Sequence, residues 1–157
     1  MNKSAVLLLA IVACVFYVAD ADFIKVNQCQ KRTAADIESL SITGCTTYPC
    51  ALKKGTDAAI EMKFTLKRRV NELGLRIAGR INGREIPFSV DDTNHCQNTI
   101  EGITDKCNLS KGETYTYKYS MPILNEYPSL MVVVKFEIVD KRGNPVACFT
   151  FPARIEE

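Results

Sequence analysis

Over residues 60–67 apolar and polar side chains alternate without a break, Ile60, Met62, Phe64 and Leu66 against Glu61, Lys63, Thr65 and Lys67. Successive side chains of an extended chain point to opposite faces, so this spacing predicts a strand with one face in a core and the other in water. Leu73, Leu75 and Ile77 repeat the pattern, and Asn82-Gly83 reads as a tight turn into Glu85-Ile86-Pro87-Phe88. Tyr115, Tyr117 and Tyr119 alternate with Thr116 and Lys118. The longest apolar strand is expected over 130–139, with Leu130, Val132, Val134, Phe136 and Ile138 on one face and Lys135 and Glu137 on the other. Lys141-Arg142-Gly143-Asn144 turns it back, and 146–151 returns antiparallel, closed by Pro152. The stretch 34–40 resembles a helix superficially, but Leu40, Ile42 and the turn residues after them fit a short strand equally well, and a strand is the expectation. Many short alternating segments between turns, with no long helical pattern, indicate an all-β sandwich or barrel.

The first residues follow a different rule. Lys3 precedes an apolar run over 5–18 and the small-x-small sequence Ala19-Asp20-Ala21, the pattern of a secretory signal peptide ending at residue 21. The run is too short for a bilayer, which needs about 20 apolar residues. Removing it leaves 22–157 as one domain, large enough for a single core.

Secretion changes how the cysteines read. Of seven, Cys14 leaves with the signal, and Cys29, Cys45, Cys50, Cys96, Cys107 and Cys148 remain in an oxidising compartment, where three disulfides are the expectation. Several connectivities are open to six cysteines. Cys45 and Cys50 flank a short Pro-containing segment that a local turn closes, Cys96 and Cys107 close one loop, and by elimination Cys29 pairs with Cys148. Zinc is disfavoured because the spacings are not of the CxxC type and His95 is the sole histidine.

Charge and motifs exclude more than they assign. The net charge of +2 comes from scattered Lys, Arg, Asp and Glu, without the basic stripe of a nucleic-acid binder. The one basic run, Lys67-Arg68-Arg69, reads as a solvated turn between strands. No GxSxG, HExxH or GxxxxGK[ST] motif occurs, and His95, between Asn94 and Cys96, reads as an exposed loop residue. Asp91-Asp92 lacks the alternating oxygen ligands of a calcium loop. No enzyme activity, metal or cofactor is expected. Asn108-Leu109-Ser110 is an N-glycosylation sequon, so Asn108 is a candidate acceptor.

Particular motifs carry a resemblance. Gly44-Cys45-Thr46-Thr47-Tyr48-Pro49-Cys50, Lys54-Gly55 and the strand ending Phe64-Thr65 resemble the second and third cysteines and following strand of the ML lipid-recognition family. In the second half, Cys107 with Leu109, Lys111-Gly112, Tyr115-Thr116-Tyr117, Met121-Pro122-Ile123, Glu126-Tyr127-Pro128, the valine strand, Asp140, Gly143, and Cys148-Phe149 with Pro152 are similar to Niemann-Pick type C2 sterol carriers and to mite group 2 allergens. The resemblance covers essentially all of 22–157. It implies an immunoglobulin-like sandwich of two antiparallel sheets that splay around an internal hydrophobic cavity, and the same disulfide pairing. It implies lipid-site roles for Ile86 and Phe88, for Ile123, Tyr127 and Pro128 at the cavity and its mouth, and for Phe136 and Phe149 in the interior. A Tyr127-Pro128 gate beside Ile123 is the expectation for release.

Two departures bear on the ligand. The Cys96 to Cys107 loop is longer than is usual in that family, and the chain has no tryptophan. Phenylalanine in place of indole leaves more room and removes an N–H donor, which sets a fatty acid beside a sterol as the cargo. The resemblance thus implies a secreted monomeric lipid carrier, extracellular or in the lysosomal lumen, with a transient membrane or membrane-protein acceptor and no nucleic-acid partner. The alternative it carries is an innate-immune adaptor that presents microbial lipid.

Overall fold

The computed structural model describes residues 26–29, 32–88, 90, 95–97, 99–103 and 106–157. The signal segment 1–21 and Asp91-Asp92 lie outside the described residues. Among the described residues nine strands follow one another: β1 (Asn27–Gln28), β2 (Ala35–Ile42), β3 (Cys50–Lys53), β4 (Thr56–Leu66), β5 (Gly74–Ile81), β6 (Arg84–Phe88), β7 (Thr114–Ile123), β8 (Met131–Val139) and β9 (Pro145–Glu156). Among the described residues there is no helix, and the stretch 34–40 is part of β2.

The strands form two facing sheets, a larger one in the order β1-β9-β8-β5-β6 with β3 also paired to β9, and a smaller one in the order β2-β4-β7. All pairs are antiparallel except β3 with β9. In β4 burial alternates with the predicted period, Ile60, Met62, Phe64 and Leu66 being buried and the polar residues between them largely exposed. Its register places Tyr115, Tyr117 and Tyr119 of β7 opposite Phe64, Met62 and Ile60, so the inner faces of the two strands coincide. Asn82 and Gly83 both have positive φ, 49° and 79°, the requirement of a two-residue hairpin turn that matches strand twist.

Two expectations change in detail. Strand β9 runs through Pro152 to Glu156 instead of closing at it. On its second edge, β1 flanks Phe149 and Thr150 and β3 flanks Ala153 to Glu156, so Pro152 falls in the gap where a missing N–H costs no rung. Glu137 does face away from the core as its alternation predicts, yet it is buried, with Arg76 of the neighbouring strand 3.9 Å away.

The three disulfides are Cys29–Cys148, Cys45–Cys50 and Cys96–Cys107, as expected, with Cα separations of 5.4, 4.3 and 5.5 Å. The backbones of the two sheets come together where β2 meets β9, and across the rest of the sandwich side chains fill the space between them.

Candidate functional site

Four side chains form a row across the inner face of the large sheet. Register partners run Phe88 on β6, Ile77 on β5, Phe136 on β8 and Phe149 on β9. Phe136 and Phe149 stack at 5.2 Å between ring centroids and are essentially fully buried. From the opposite sheet Tyr117 meets Phe136 edge-on at 6.1 Å and Tyr119 lies 6.2 Å from it. Offset and edge-on geometries suit the ring quadrupoles, so the aromatic layer spanning the two sheets is attractive as well as apolar. The space between the sheets is thus packed with the protein's own rings, as apolar interiors normally are.

At the β6 edge of the large sheet Phe88 packs against Tyr127 at 5.6 Å, which joins the last residue of β6 to the turn between β7 and β8. The Phe88 ring reaches over Gly79. A Cβ at that glycine would stand 3.0 Å from the ring and 2.9 Å from the Val132 side chain. Ile86, the register partner of Gly79, is half exposed, and Pro128 is exposed. Ile123 is buried at the end of β7, beside a hollow of about 270 Å³ lined by Gly44, Leu52, Thr56 and Ala58. The residues singled out from sequence therefore fall into a rim (Ile86, Phe88, Tyr127, Pro128), an interior pair (Phe136, Phe149), and Ile123 at the seam between β3, β4 and β7. Sequence reasoning missed Ile77, which joins rim to interior, and Gly79. Alternation marks Ile77 as buried, but only cross-strand register sets it between the two phenylalanines.

The loop between Cys96 and Cys107 adds polar groups to this apolar frame. Strand β7 is an edge of the small sheet, and the loop pairs onto it: Ile100 bridges to Tyr117, the Lys118 N–H donates to the Thr99 carbonyl at 2.7 Å, and the Glu101 N–H donates to the Thr116 carbonyl at 3.0 Å. His95 is buried against the Tyr119 ring at 5.7 Å, not exposed as its loop position suggested, and its backbone N–H donates to the Leu73 carbonyl at 3.0 Å. Burial, reinforced by the neighbouring Tyr119 hydroxyl, pushes the Tyr117 phenol well above its ordinary pKa, against a smaller downward pull from Thr99.

The remaining candidates sit outside this layer. Asn108 is exposed, and its Oδ1 accepts from Arg69 Nε at 2.9 Å and Nη2 at 2.6 Å. The basic run is tied to its own chain, Lys67 to Asp36 at 2.5 Å and Arg68 to Asp140 at 2.7 Å. Among the described residues no group of three or more His, Cys, Asp or Glu side chains could hold a metal ion, and no helix is long and apolar enough to cross a membrane.

Comparisons with known proteins agree with this geometry. Residues 24–155 match the ML domain model. The chain is 30% identical over 149 residues to NPC intracellular cholesterol transporter 2 homolog a of Drosophila melanogaster, covering 94% of this chain and 97% of that protein. It is 28% identical over 126 residues to a mite group 2 allergen of Tyrophagus putrescentiae, covering 80% and 83%. The crystal structure of a Niemann-Pick type C2 protein from Japanese carpenter ant superimposes with a TM-score of 0.74 at 20% identity, covering 85% of this chain and all of that one. Two facing sheets with an aromatic row running inward from the β6 edge, together with a model match over nearly the whole described chain, place this protein in the ML domain family.

Proposed function

We propose that this protein is a secreted lipid carrier that holds a sterol or fatty-acid-like molecule between its two sheets. The observation that supports this most is the row Phe88–Ile77–Phe136–Phe149 across the inner face of the large sheet, an apolar path from the rim to the innermost rings. A relative 30% identical to this chain bears the name of a cholesterol transporter. Carriage needs no covalent step. An alkyl or steroid body displacing the aromatic layer removes apolar surface from water at roughly 25 cal/mol per Å², so a few hundred Å² contributes several kcal/mol before ordering costs.

The residues take distinct roles in this reading. Phe136 and Phe149 wall the interior, Ile86 and Phe88 line the entrance, Tyr127, followed by Pro128, covers it, and Ile123 lines the hollow at the seam of β3, β4 and β7. The Phe88–Tyr127 contact is the gate, because separating the two rings opens the row without breaking a backbone hydrogen bond of either sheet. A transient contact with a membrane or membrane protein would supply and receive the lipid, with the carrier itself a monomer. Three disulfides support an oxidising destination, extracellular or lysosomal. The exposed amide of Asn108 is open to an N-linked glycan.

The test is to record native and denaturing mass spectra of the secreted protein and extract the same sample for lipids. A stoichiometric mass lost on denaturation is the expected result and identifies the cargo. No cargo, with no uptake of added sterol or fatty acid, would overturn the reading.

A further inference from the structure

Two hydroxyls in the interior have no partner. Tyr117 Oη and Thr99 Oγ1 are both shielded from solvent and lie near enough for Thr99 to pull the Tyr117 pKa down, yet neither has a partner at hydrogen-bonding distance and angle. Buried hydroxyls are normally paired, since an unpaired one loses its water without replacement, so two together call for an explanation. Their placement is specific. Tyr117 is fully buried on the inner face of β7, six residues and about 20 Å along the strand from Ile123, and its ring meets Phe136 of the aromatic row. Thr99 is brought beside it by the Cys96–Cys107 loop, whose pairing with the free edge of β7 fixes the Thr99 backbone against Lys118.

We propose that Tyr117 and Thr99 form a polar subsite inside the lipid site, which takes a neutral oxygen, a hydroxyl or carbonyl, on the innermost end of the lipid. This rests on the carrier reading and deepens it by naming the ligand class. A hydroxyl pair can donate to and accept from such an oxygen at once, satisfying three groups with one ligand atom. An ionised carboxylate fits less well, because the same surroundings that hold the Tyr117 phenol neutral disfavour a charge. The subsite selects oxygenated lipids over pure hydrocarbons and favours an alcohol over a fatty-acid anion.

The experiment measures uptake of matched radiolabelled pairs from phosphatidylcholine vesicles: cholesterol against cholestane, and hexadecanol against hexadecane. The wild-type protein, Tyr117→Phe and Thr99→Val are compared, with thermal midpoints recorded alongside. Tyr117→Phe keeps the ring and Thr99→Val keeps the volume, so both variants are expected to fold with midpoints no lower than wild type. The expected result is about a tenfold preference of the wild type for the oxygenated member in at least one pair, falling to about threefold or less in each variant. Each preference is read as the ratio of the two members within one variant, so a change in overall uptake common to both members cancels. Equal uptake of both members by the wild type, or a preference that persists in the variants, overturns the subsite and leaves carriage standing. Lower thermal midpoints with equal loss of both members would assign the hydroxyls a purely structural role and also overturn it. Uptake of none of the four lipids by the wild type would overturn carriage itself, and the subsite with it.

Discussion

At the scale of single residues the rim is built on close approach. Gly79 has an ordinary φ, so its role is to leave space for the Phe88 ring and the Val132 methyl, not to relieve the backbone. Gly79→Ala should therefore displace Phe88 toward Tyr127, cost about 1–3 kcal/mol in urea unfolding, and lower lipid uptake. Unchanged uptake would remove Phe88 from the entrance. Tyr127→Ala deletes the ring that covers Phe88, an aromatic contact worth about 0.5–1.5 kcal/mol, and should speed lipid exchange about two- to tenfold with little loss of stability. Stopped-flow transfer of a fluorescent sterol to vesicles reads this directly, and an unaltered rate would sink the gate. Tyr117 illustrates the limit of reading residues one by one. The Tyr-x-Tyr-x-Tyr alternation predicts that its ring is buried, but whether its hydroxyl finds a partner depends on a loop whose path the sequence pattern does not define.

At the scale of elements, the turn between β8 and β9 is held by one carboxylate. Asp140 accepts from the Arg142 and Asn144 backbone N–H groups at 2.9 Å each, from the Asn144 side chain and from Arg68. Burial pushes its pKa up, but these donors outweigh that and bring it down to about 2 from an ordinary 3.8. A depressed carboxyl pKa means that the folded state binds protons less readily than the unfolded one. The resulting stability is fully present above about pH 4 and is lost as pH falls through about 2. Asp140→Asn should flatten this part of the pH dependence of the urea midpoint; an unchanged slope would show that other carboxylates dominate it. The turn was legible in Lys141-Arg142-Gly143-Asn144, because Gly143 supplies the positive φ of 79° that other residues resist. Strand β9 was less legible. A proline normally ends a strand, and only the gap between β1 and β3 along its second edge lets it continue.

At the scale of the molecule, the Cys29–Cys148 bridge spans 119 residues of sequence and ties β1, otherwise a two-residue strand, to the edge of β9. Replacing both cysteines by alanine should cost about 4–5 kcal/mol, far more than the same change at Cys45–Cys50, whose sequence separation is only 5. Equal losses from the two replacements, measured by chemical unfolding, would locate the stabilisation in folded-state packing instead of chain entropy. A carrier saturated with its lipid at a hundred times Kd gains about 2.7 kcal/mol, so delipidated protein should melt several degrees lower than protein as secreted.

The sequence by itself determined the strand content, the facing direction of nearly every core residue, the hairpin turns and the pairing of the cysteines. Most of these depend on local geometry, a period of two, a residue that tolerates positive φ, or a loop short enough to close, while the Cys29–Cys148 bridge across 119 residues follows by elimination. It also determined the family, through cysteine order and short motifs spread along the chain. Only the tertiary structure decided which buried residues share a row, that Ile77 links Phe88 to Phe136, that His95 is covered, and that Tyr117 and Thr99 meet without a partner. Those relations depend on register between strands far apart in sequence and on how a disulfide-closed loop lies on a sheet edge. Alternation leaves both open, because the in-and-out pattern of a strand is unchanged when its pairing slides by two residues.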